Sequence, residues 1–526
     1  MRSTFLGFNT VKSGLFAAQR ALDITGHNIS NVNTKGFTRQ RLLQASSTPI
    51  SIFGGRGMLG TGVDSIEINQ FRNEFLDFKY RGEVNAQGYW DSKQKNLEFI
   101  EAIFNEPSET GISTVLDEMF SSFQELSKNP ESLTTRALVR QRGIAFTNSL
   151  NHMYGQLEKM SKDLNFDVEI TVSSINAIAN QISILNDQVF RAEIDGSNAN
   201  DLRDQRNLLI DQLSRIVDVE IVEMVDINDH VTRGQDNDRS SKKLVIQING
   251  QPLVSHDKSF HLSTETTKAS TFDDQVEMYD IRWANGAMFD TDGISGELKA
   301  LIDMRDGNTG NNKGVPYYIE RLNEFARVFA NEVNKIHVAG FGLDGAQSRA
   351  FFTTGGVITP AGLPTDPNHA DWANILDEAH GSFVAELGGI NAKNISISLD
   401  IDTNLNAIGA SVTTDLLPGD GSMALELAQL RHVQRMYNEG KPEDFVKSLI
   451  SNLGVDSQEA VRMVFNQNVL TDQVENQRQS ISGVSLDEEM TKMIQFQHAY
   501  NASARMITTM DEMIDIIINR MGLVGR

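Results

Sequence analysis

The stretch Gly55-Arg56-Gly57-Met58-Leu59-Gly60 has the spacing G-x-G-x-x-G, by which a backbone can approach a dinucleotide pyrophosphate. That chemistry needs a strand before the glycines and a helix after them, whose first amides receive the phosphate. Here Thr61-Gly62-Val63-Asp64-Ser65-Ile66 follows and alternates like an extended segment, so a flexible glycine-rich loop is the better reading. Asp400, Asp402, Asn404 and Asn406 open like a calcium loop. Leu405 stands where its sharp turn wants Gly, and Ser411 where a bidentate Glu should close the shell. Asp290, Asp292 and Gly293 are similarly partial, and both sets read as solvated turns. The 10 histidines are scattered without an H-x-x-x-H pair, and no cysteine joins them, so no zinc set forms. There is no G-x-S-x-G elbow and no Walker A lysine loop. The expectation is a chain with no catalytic centre, no metal and no cofactor.

At 526 residues the chain is longer than one domain, and its 40% hydrophobic and 22% charged residues are ordinary for packed cores. The formal charge of -23, from 70 acidic against 47 basic residues, argues against nucleic acid, which needs a basic patch. It suits a soluble chain that repels its own copies until something positions it. No apolar run approaches a membrane span, and Asn9, Thr10 and Lys12 interrupt the apolar start that a signal peptide would need. The expected location is cytoplasmic, or outside the cell by a route without a cleaved signal.

With chemistry absent, the chain is organised by its ends. From Leu486, steps of 3 and 4 meet Glu489, Met493, Phe496, Tyr500, Ser503, Ile507, Met510, Ile514, Ile517 and Met521. This is a coiled-coil seam, about 54 Å long at 1.5 Å per residue. Ser485 and Glu488 offer a capping box at its start, and Arg520 and Gly522 supply stop signals at its end. The same step at the N-terminus meets Phe8, Val11, Leu15, Ala18, Leu22, Thr25, Ile29 and Val32. Either helix alone would read as an ordinary amphipathic cover for a core. One at each end points to a chain folded back so that its termini form a single coil. Met490, Ile494, Met506, Met513 and Ile518 widen the C-terminal stripe beyond what one partner helix can cover. Full burial therefore calls for a larger assembly, and poor order is expected without it.

Between the ends the pattern is nested, giving a mainly α fold with β-rich insertions. Residues 1–40 form one half of the coil and 485–526 the other. A helical rod takes 41–220, 296–340 and 416–484, while 221–295 and 341–415 are β-rich portions. Asn28 to Gln40 reads as a run of turns, from its Asn, Thr and Gly content. Helices are expected around Leu97–Phe104 and Val115–Leu126, with another from beyond Pro130 through Phe146 and a heptad run over Val168–Val189. Asp195-Gly196-Ser197-Asn198 turns the chain into a return helix over Asp201–Val217, as in an antiparallel bundle. Leu244, Ile246 and Ile248 before Asn249-Gly250 signal a β-hairpin. Helices return at Gly296–Ile302, Tyr317–Ile336, Met423–Met436 and Ser457–Gln479.

The run Asn28-Ile29-Ser30-Asn31-Val32-Asn33-Thr34-Lys35-Gly36-Phe37 resembles the N-terminal signature of bacterial flagellar rod, hook and hook-associated proteins. Ser480 to Glu489 and Phe496 to Arg505 resemble the C-terminal signature of the flagellar hook-associated protein 1 family. Internal runs agree: Ala199 to Arg206 with Leu208 and Leu209, Gly296-Glu297-Leu298 to Arg305-Asp306, and Leu322 to Ala326 with Asn334, His337 and Gly340. Two departures are Phe37, where Tyr is usual, and Thr38, where Ser is common. The resemblance implies a structural protein at the hook–filament junction, exported by the flagellar type III apparatus and standing in a ring of its own copies. It implies hook protein below, a further hook-associated protein and through it the filament above, and a cytoplasmic export chaperone on the C-terminal helical region. The residues expected at the assembly interface are Phe8, Val11, Leu15, Leu22, Ile29, Met493, Phe496, Tyr500, Ile507, Met510, Ile514 and Ile517. The other readings are another axial protein (hook or distal rod), an extracellular coiled-coil binding protein, and a nucleotide-dependent enzyme.

Overall fold

The structure, a computed structural model, describes residues 6–51, 57–104, 111–194, 197–225, 242–270, 272, 276–310, 312–516 and 518. The chain opens with helix α1 (Leu6–Ser30) and ends with α13 (Leu486–Asp515), and the two pack against each other. Beside α1 runs a β-ribbon. Strands β1 (Gln40–Ser46) and β4 (Val63–Gln70) pair antiparallel with a bulge between Leu43 and Gln44, and β2 (Ile50–Ser51) pairs with β3 (Met58–Leu59) beyond them. The ribbon touches α1 where Gly62, at φ 130°, lets the backbone reach Ser13, whose hydroxyl accepts from the Val63 amide at 3.2 Å. Gly55 and Arg56 of the glycine motif lie outside the described residues. The rest of the motif leads from β3 into β4, so the helix that a dinucleotide site needs directly after its glycines is replaced by a strand.

The rod is built from long helices. They are α2 (Glu74–Phe104), α3 (Ile112–Lys128), α4 (Leu133–Ala192), α5 (Asn200–Ile216), α6 (Glu297–Asp306) and α7 (Val315–Ala339). Where the sequence suggests two helices over 133–192 there is a single one of 60 residues, about 90 Å long. It buries Val139, Phe146, Leu150, Leu157, Leu164, Val168, Val172, Ile175, Ala179 and Ile182, a stripe at steps of 3, 4 and 7 that does not break between the two readings. Pro130 precedes it, where a missing amide costs nothing to the helix. Of the turn between α4 and α5, Asp195 and Gly196 lie outside the described residues.

The first β portion is an antiparallel meander. Its order is β5 (Glu220–Val225), β6 (Lys242–Ile248), β7 (Gln251–Ser255) and β8 (Lys258–Ser259). Asn249 and Gly250 both take positive φ in the two-residue turn, as that hairpin twist requires. A ribbon of β9 (Leu262–Ala269) and β10 (Glu277–Trp283) follows. Asparagines on α4 hold these strands: Asn176 exchanges two hydrogen bonds with Leu262 at 2.7 and 2.8 Å, and Asn165 accepts from the Tyr279 amide at 2.8 Å. A small hairpin of β11 (Asn308–Thr309) and β12 (Asn312–Lys313) leads into α7.

The stretch 341–415 differs from its reading as a second β-rich portion. It holds one two-stranded ribbon, β13 (Phe352–Thr354) with β14 (Ile395–Ile397), and three short helices, α8 (Asp371–Leu376), α9 (Ala385–Gly388) and α10 (Leu399–Thr403). The alternation of Ile395, Ile397 and Leu399 ends early because Ser398 accepts from the Asp400 amide and starts α10. The reading of Asp400 as a solvated turn residue needs the same adjustment: its carboxylate accepts from the Thr359 amide at 2.8 Å and the Ser398 hydroxyl at 3.1 Å. Helix α11 (Ser422–Gln429) and the 41-residue α12 (Pro442–Ser482) return the chain to the coil, α12 packing along α2. The core lies in the rod, where Phe146 sits 4.9 Å from Phe329 and Phe325 stacks on Tyr437 at 5.6 Å.

Candidate assembly interface

The coil is antiparallel and its register can be read directly. A Cβ on Gly7 would meet the Met510 side chain at 2.8 Å, a Cβ on Gly14 would meet Ser503 Oγ at 3.7 Å, and Asn28 Nδ2 donates to Glu489 at 2.9 Å. Steps of seven and fourteen on one helix match steps of seven and fourteen on the other. Between these contacts α1 buries Ala17, Ala18, Ala21, Ile24 and Thr25. The contact line through residues 7, 14 and 28 therefore lies one residue before Phe8, Leu15 and Ile29; these with Val11 and Leu22 are half-buried flanks, while Ala18 and Thr25 of the same expected step are buried. Counting apolar side chains missed this line because glycine and asparagine do not score, yet glycine lets two helices approach closely. Val32, the last residue of the expected seam, follows the helix end.

On α13 the residues of the expected seam face the coil. Met493, Phe496, Tyr500, Ile507, Met510 and Ile514 are half-buried, while Ile517 lies outside the described residues, as do Arg520 and Gly522. Leu486 stays exposed. The wider stripe is uncovered: Met490, Ile494, Met506, Met513 and Ile518 are each between 50% and 65% exposed. The apolar strip expected of an isolated pair is thus present on this chain.

The capping box expected at Ser485 does not form. Its side chain makes no cap hydrogen bond, and Glu488 reaches away to Arg39 at 2.7 Å. Arg39 belongs to a polar joint where the coil meets the rod. Its Nε donates to Glu489 at 2.8 Å and its amide to the Ser482 carbonyl at 2.8 Å, at the end of α12. Asn28 exchanges two hydrogen bonds with the backbone of Gln40, at 2.9 and 3.0 Å. The Thr38 amide and hydroxyl both donate to Asp204 on α5, at 2.7 to 2.8 Å. Gln40 Nε2 donates to Asp201 at 2.7 Å. One layer further in, Arg72 bridges Asp77 and Asp204, and Arg478 of α12 bridges Asp77 and Asp211. A cavity of about 660 Å³ lies among Thr38, Arg39, Tyr80, Asp211, Arg478 and Glu488.

Burial shapes the charges here. It would raise the Glu489 carboxyl, but hydrogen bonds from Asn28 and Lys492 and the charges of Lys492 and Arg39 hold it below the ordinary carboxylate range. Burial pushes the Asp204 carboxyl up to about 6, against the hydrogen bonds of Thr38 and the charge of Arg72. Three residues in a row, Thr38, Arg39 and Gln40, thus tie α1, α5, the end of α12 and the start of α13 together. Sequence reasoning took Asn28 to Gln40 as turns and missed the joint. The only signal for it was the density of Asn, Thr and Arg beside a helix end.

Among the described residues no cluster of His, Cys, Asp or Glu could hold a metal ion, and no helix is long and apolar enough to cross a membrane.

Residues 97–352 match the family model for the flagellar hook-associated protein FlgK helical domain. Residues 471–521 match that for the flagellar basal body rod FlgEFG protein C-terminal, and residues 8–38 that for the flagella basal body rod protein. The chain is 33% identical over 545 residues to flagellar hook-associated protein 1 of Bacillus subtilis (strain 168), covering 100% of each. It is 25% identical to that of Escherichia coli (strain K12), over 97% of this chain and 99% of the relative. In fold it is similar to the flagellar hook junction protein FlgK from Burkholderia pseudomallei, with a TM-score of 0.56 and 16% identity, over 78% of this chain and 100% of that one.

Proposed function

The chain belongs to the flagellar hook-associated protein 1 family, structural components of the flagellum, and on that premise we propose that it joins hook to filament as a ring of identical subunits. Hook protein lies below the ring, and a further hook-associated protein, and through it the filament, lies above. The coil carries the assembly. Phe8, Val11, Leu15, Leu22 and Ile29 on one helix and Met493, Phe496, Tyr500, Ile507, Met510, Ile514 and Ile517 on the other register each subunit against its neighbours. The division into coil (1–40 and 485–526), rod and inserted outer portions belongs to the same reading, with the outer portions adapting a curved hook to a stiffer filament.

The observation that carries this reading is the apolar strip of α13, with Met490, Ile494, Met506 and Met513 exposed beside a coil that the chain itself cannot close. Neighbouring coils of the same kind would bury it. The strip also gives an export chaperone a reason to hold the C-terminal helix in the cytoplasm, since free strips associate early. Export through the flagellar type III apparatus needs no cleaved signal.

Electron microscopy of a strain deleted for this gene, with the growth medium assayed for flagellin, tests the proposal. Bare hooks with shed flagellin are expected. Missing hooks would move the protein to the rod or hook, and normal filaments would overturn the assignment.

A further inference from the structure

Helix α13 buries a single side chain, and it is a carboxylate. Glu489 is 1% exposed and sits on the contact line of the coil. We propose that Glu489, with Asn28 as its partner, selects the register in which the two terminal helices pair.

The rest of the line is permissive. In the observed register Gly7 faces Met510 and Gly14 faces Ser503, and by the same count Ala21 faces Phe496. A slip of one heptad trades one small residue for another opposite a flexible methionine, a serine or a ring, and nothing in those pairs resists it. Glu489 resists. Sliding it one heptad along α1 sets it opposite Ala21, beside the buried Ala17 and Ala18, away from Asn28 and Arg39. Sliding it the other way carries it past Ser30, where α1 ends. A slipped Glu489 keeps only Lys492 of its own helix and loses the donors Asn28 and Arg39. An ionised carboxylate so stripped in an apolar seam is disfavoured more than any packing change there, and one polar residue at a seam position is a known register device.

Asn28 is equipped for the role. Its Oδ1 accepts from the Gln40 amide at 3.0 Å, which leaves Nδ2 to donate both to the Gln40 carbonyl and to Glu489. Arg39 Nε at 2.8 Å and Lys492 Nζ at 3.2 Å complete the donors on Glu489. The competing determinant is the three-residue joint Gly483-Val484-Ser485, which tethers α13 to α12.

Because the chain contains 0 cysteines, introduced pairs are its only thiols. Gly14→Cys with Ser503→Cys reports the observed register, and Gly7→Cys with Ser503→Cys reports a one-heptad slip. A heptad is about 10.5 Å along the helix, beyond the roughly 4.4–6.8 Å between Cα atoms that a disulfide spans. The full-length chain is oxidised mildly, and the intrachain bond is read by gel mobility and peptide mass. In the parent background the first pair closes and the second does not. Glu489→Leu, which keeps the seam apolar, should raise closure of the slipped pair by about tenfold or more, as loss of a buried charge pair's selectivity implies. Glu489→Gln still accepts from Asn28 and should keep the observed register. If Glu489→Leu closes only the first pair, the joint sets the register and the proposal fails. If it closes neither, Glu489 holds the coil together without choosing its register, and the proposal fails again. These outcomes concern pairing within one chain, so they stand apart from the result of the deletion strain.

Discussion

His337 shows how a single side chain can set a limit on the rod. It is buried between α7 and the stretch that follows, its Nδ1 hydrogen-bonded to the Arg349 carbonyl at 2.7 Å while its Nε2 accepts from the Gly409 amide at 2.9 Å. Nδ1 is therefore the donor and the ring is neutral. Burial pushes its pKa down to about 4, helped by the charges of Arg136 and Arg349 and opposed by the bond to the Arg349 carbonyl. An unfolded chain takes up this proton near pH 6.5, whereas the folded chain resists until about pH 4. Stability from this residue is complete above pH 6.5 and is lost as pH falls toward 4, by about 3 kcal/mol. Asp204 works in the opposite sense, since a carboxyl raised to about 6 binds its proton more tightly in the folded chain. The useful comparison is thus with His337→Gln, in which Asp204 is unchanged. Glutamine can both accept from Gly409 and donate to Arg349, so the variant should unfold in urea with a shallower loss between pH 6.5 and 4. An unchanged slope would place the acid sensitivity elsewhere.

At the scale of elements, the contrast is between α4 and α13. Helix α4 buries an unbroken stripe and holds the β strands through Asn165, Asn176 and Asn186, so its geometry is settled within the chain. Helix α13 covers its seam only in part and leaves a second strip bare. At Ile507 and Ile514, which are half-buried and still reached by water, unlike Glu489, a charge should therefore cost little in the free chain and much in an assembly, where an unpaired carboxylate would be buried. Ile507→Asp and Ile514→Asp are expected to retain the parent helix content by circular dichroism while abolishing filament attachment and motility. Motile cells bearing attached filaments would remove the seam from the interface.

For the whole molecule, core and assembly surface are separate. The aromatic core around Phe146, Phe325, Phe329, Phe351, Phe352, Tyr437 and Phe445 lies in the rod. The coil meets the rod through the polar joint, where Thr38 and Gln40 bond to Asp204 and Asp201 on α5 and Arg39 to the end of α12, and these bonds do not involve α13. A chain ending at Ser482 should then melt within about 2 °C of the full-length protein by scanning calorimetry, since roughly 1 kcal/mol moves the midpoint by about 1 °C in a chain this long. A much larger drop would mean that the coil braces the rod. This separation suits a subunit whose ends are ordered by its neighbours while its body is ordered by itself.

What the sequence determined by itself is what local periodicity encodes. The terminal helices, the rod helices, the hairpin at Asn249-Gly250 and the over-wide stripe of α13 were legible because a 3.6-residue or 2-residue repeat of apolar side chains needs no distant partner to be seen. The same repeat explains two of the errors: the N-terminal seam met the buried Ala18 and Thr25 but missed Gly7 and Gly14, which carry no hydrophobic signal, and 341–415 was read as β-rich from its Gly, Pro, Asn and Asp content and an alternation that Ser398 cuts short. Tertiary structure alone decided the joint. Asn28, Thr38, Arg39, Asp204 and Glu489 lie as much as 461 residues apart, and each reads singly as a turn residue, a cap or a surface charge. Only when the chain closes are their donors and acceptors matched and removed from water. Burial then makes each such pair costly to break, and so able to specify a single geometry.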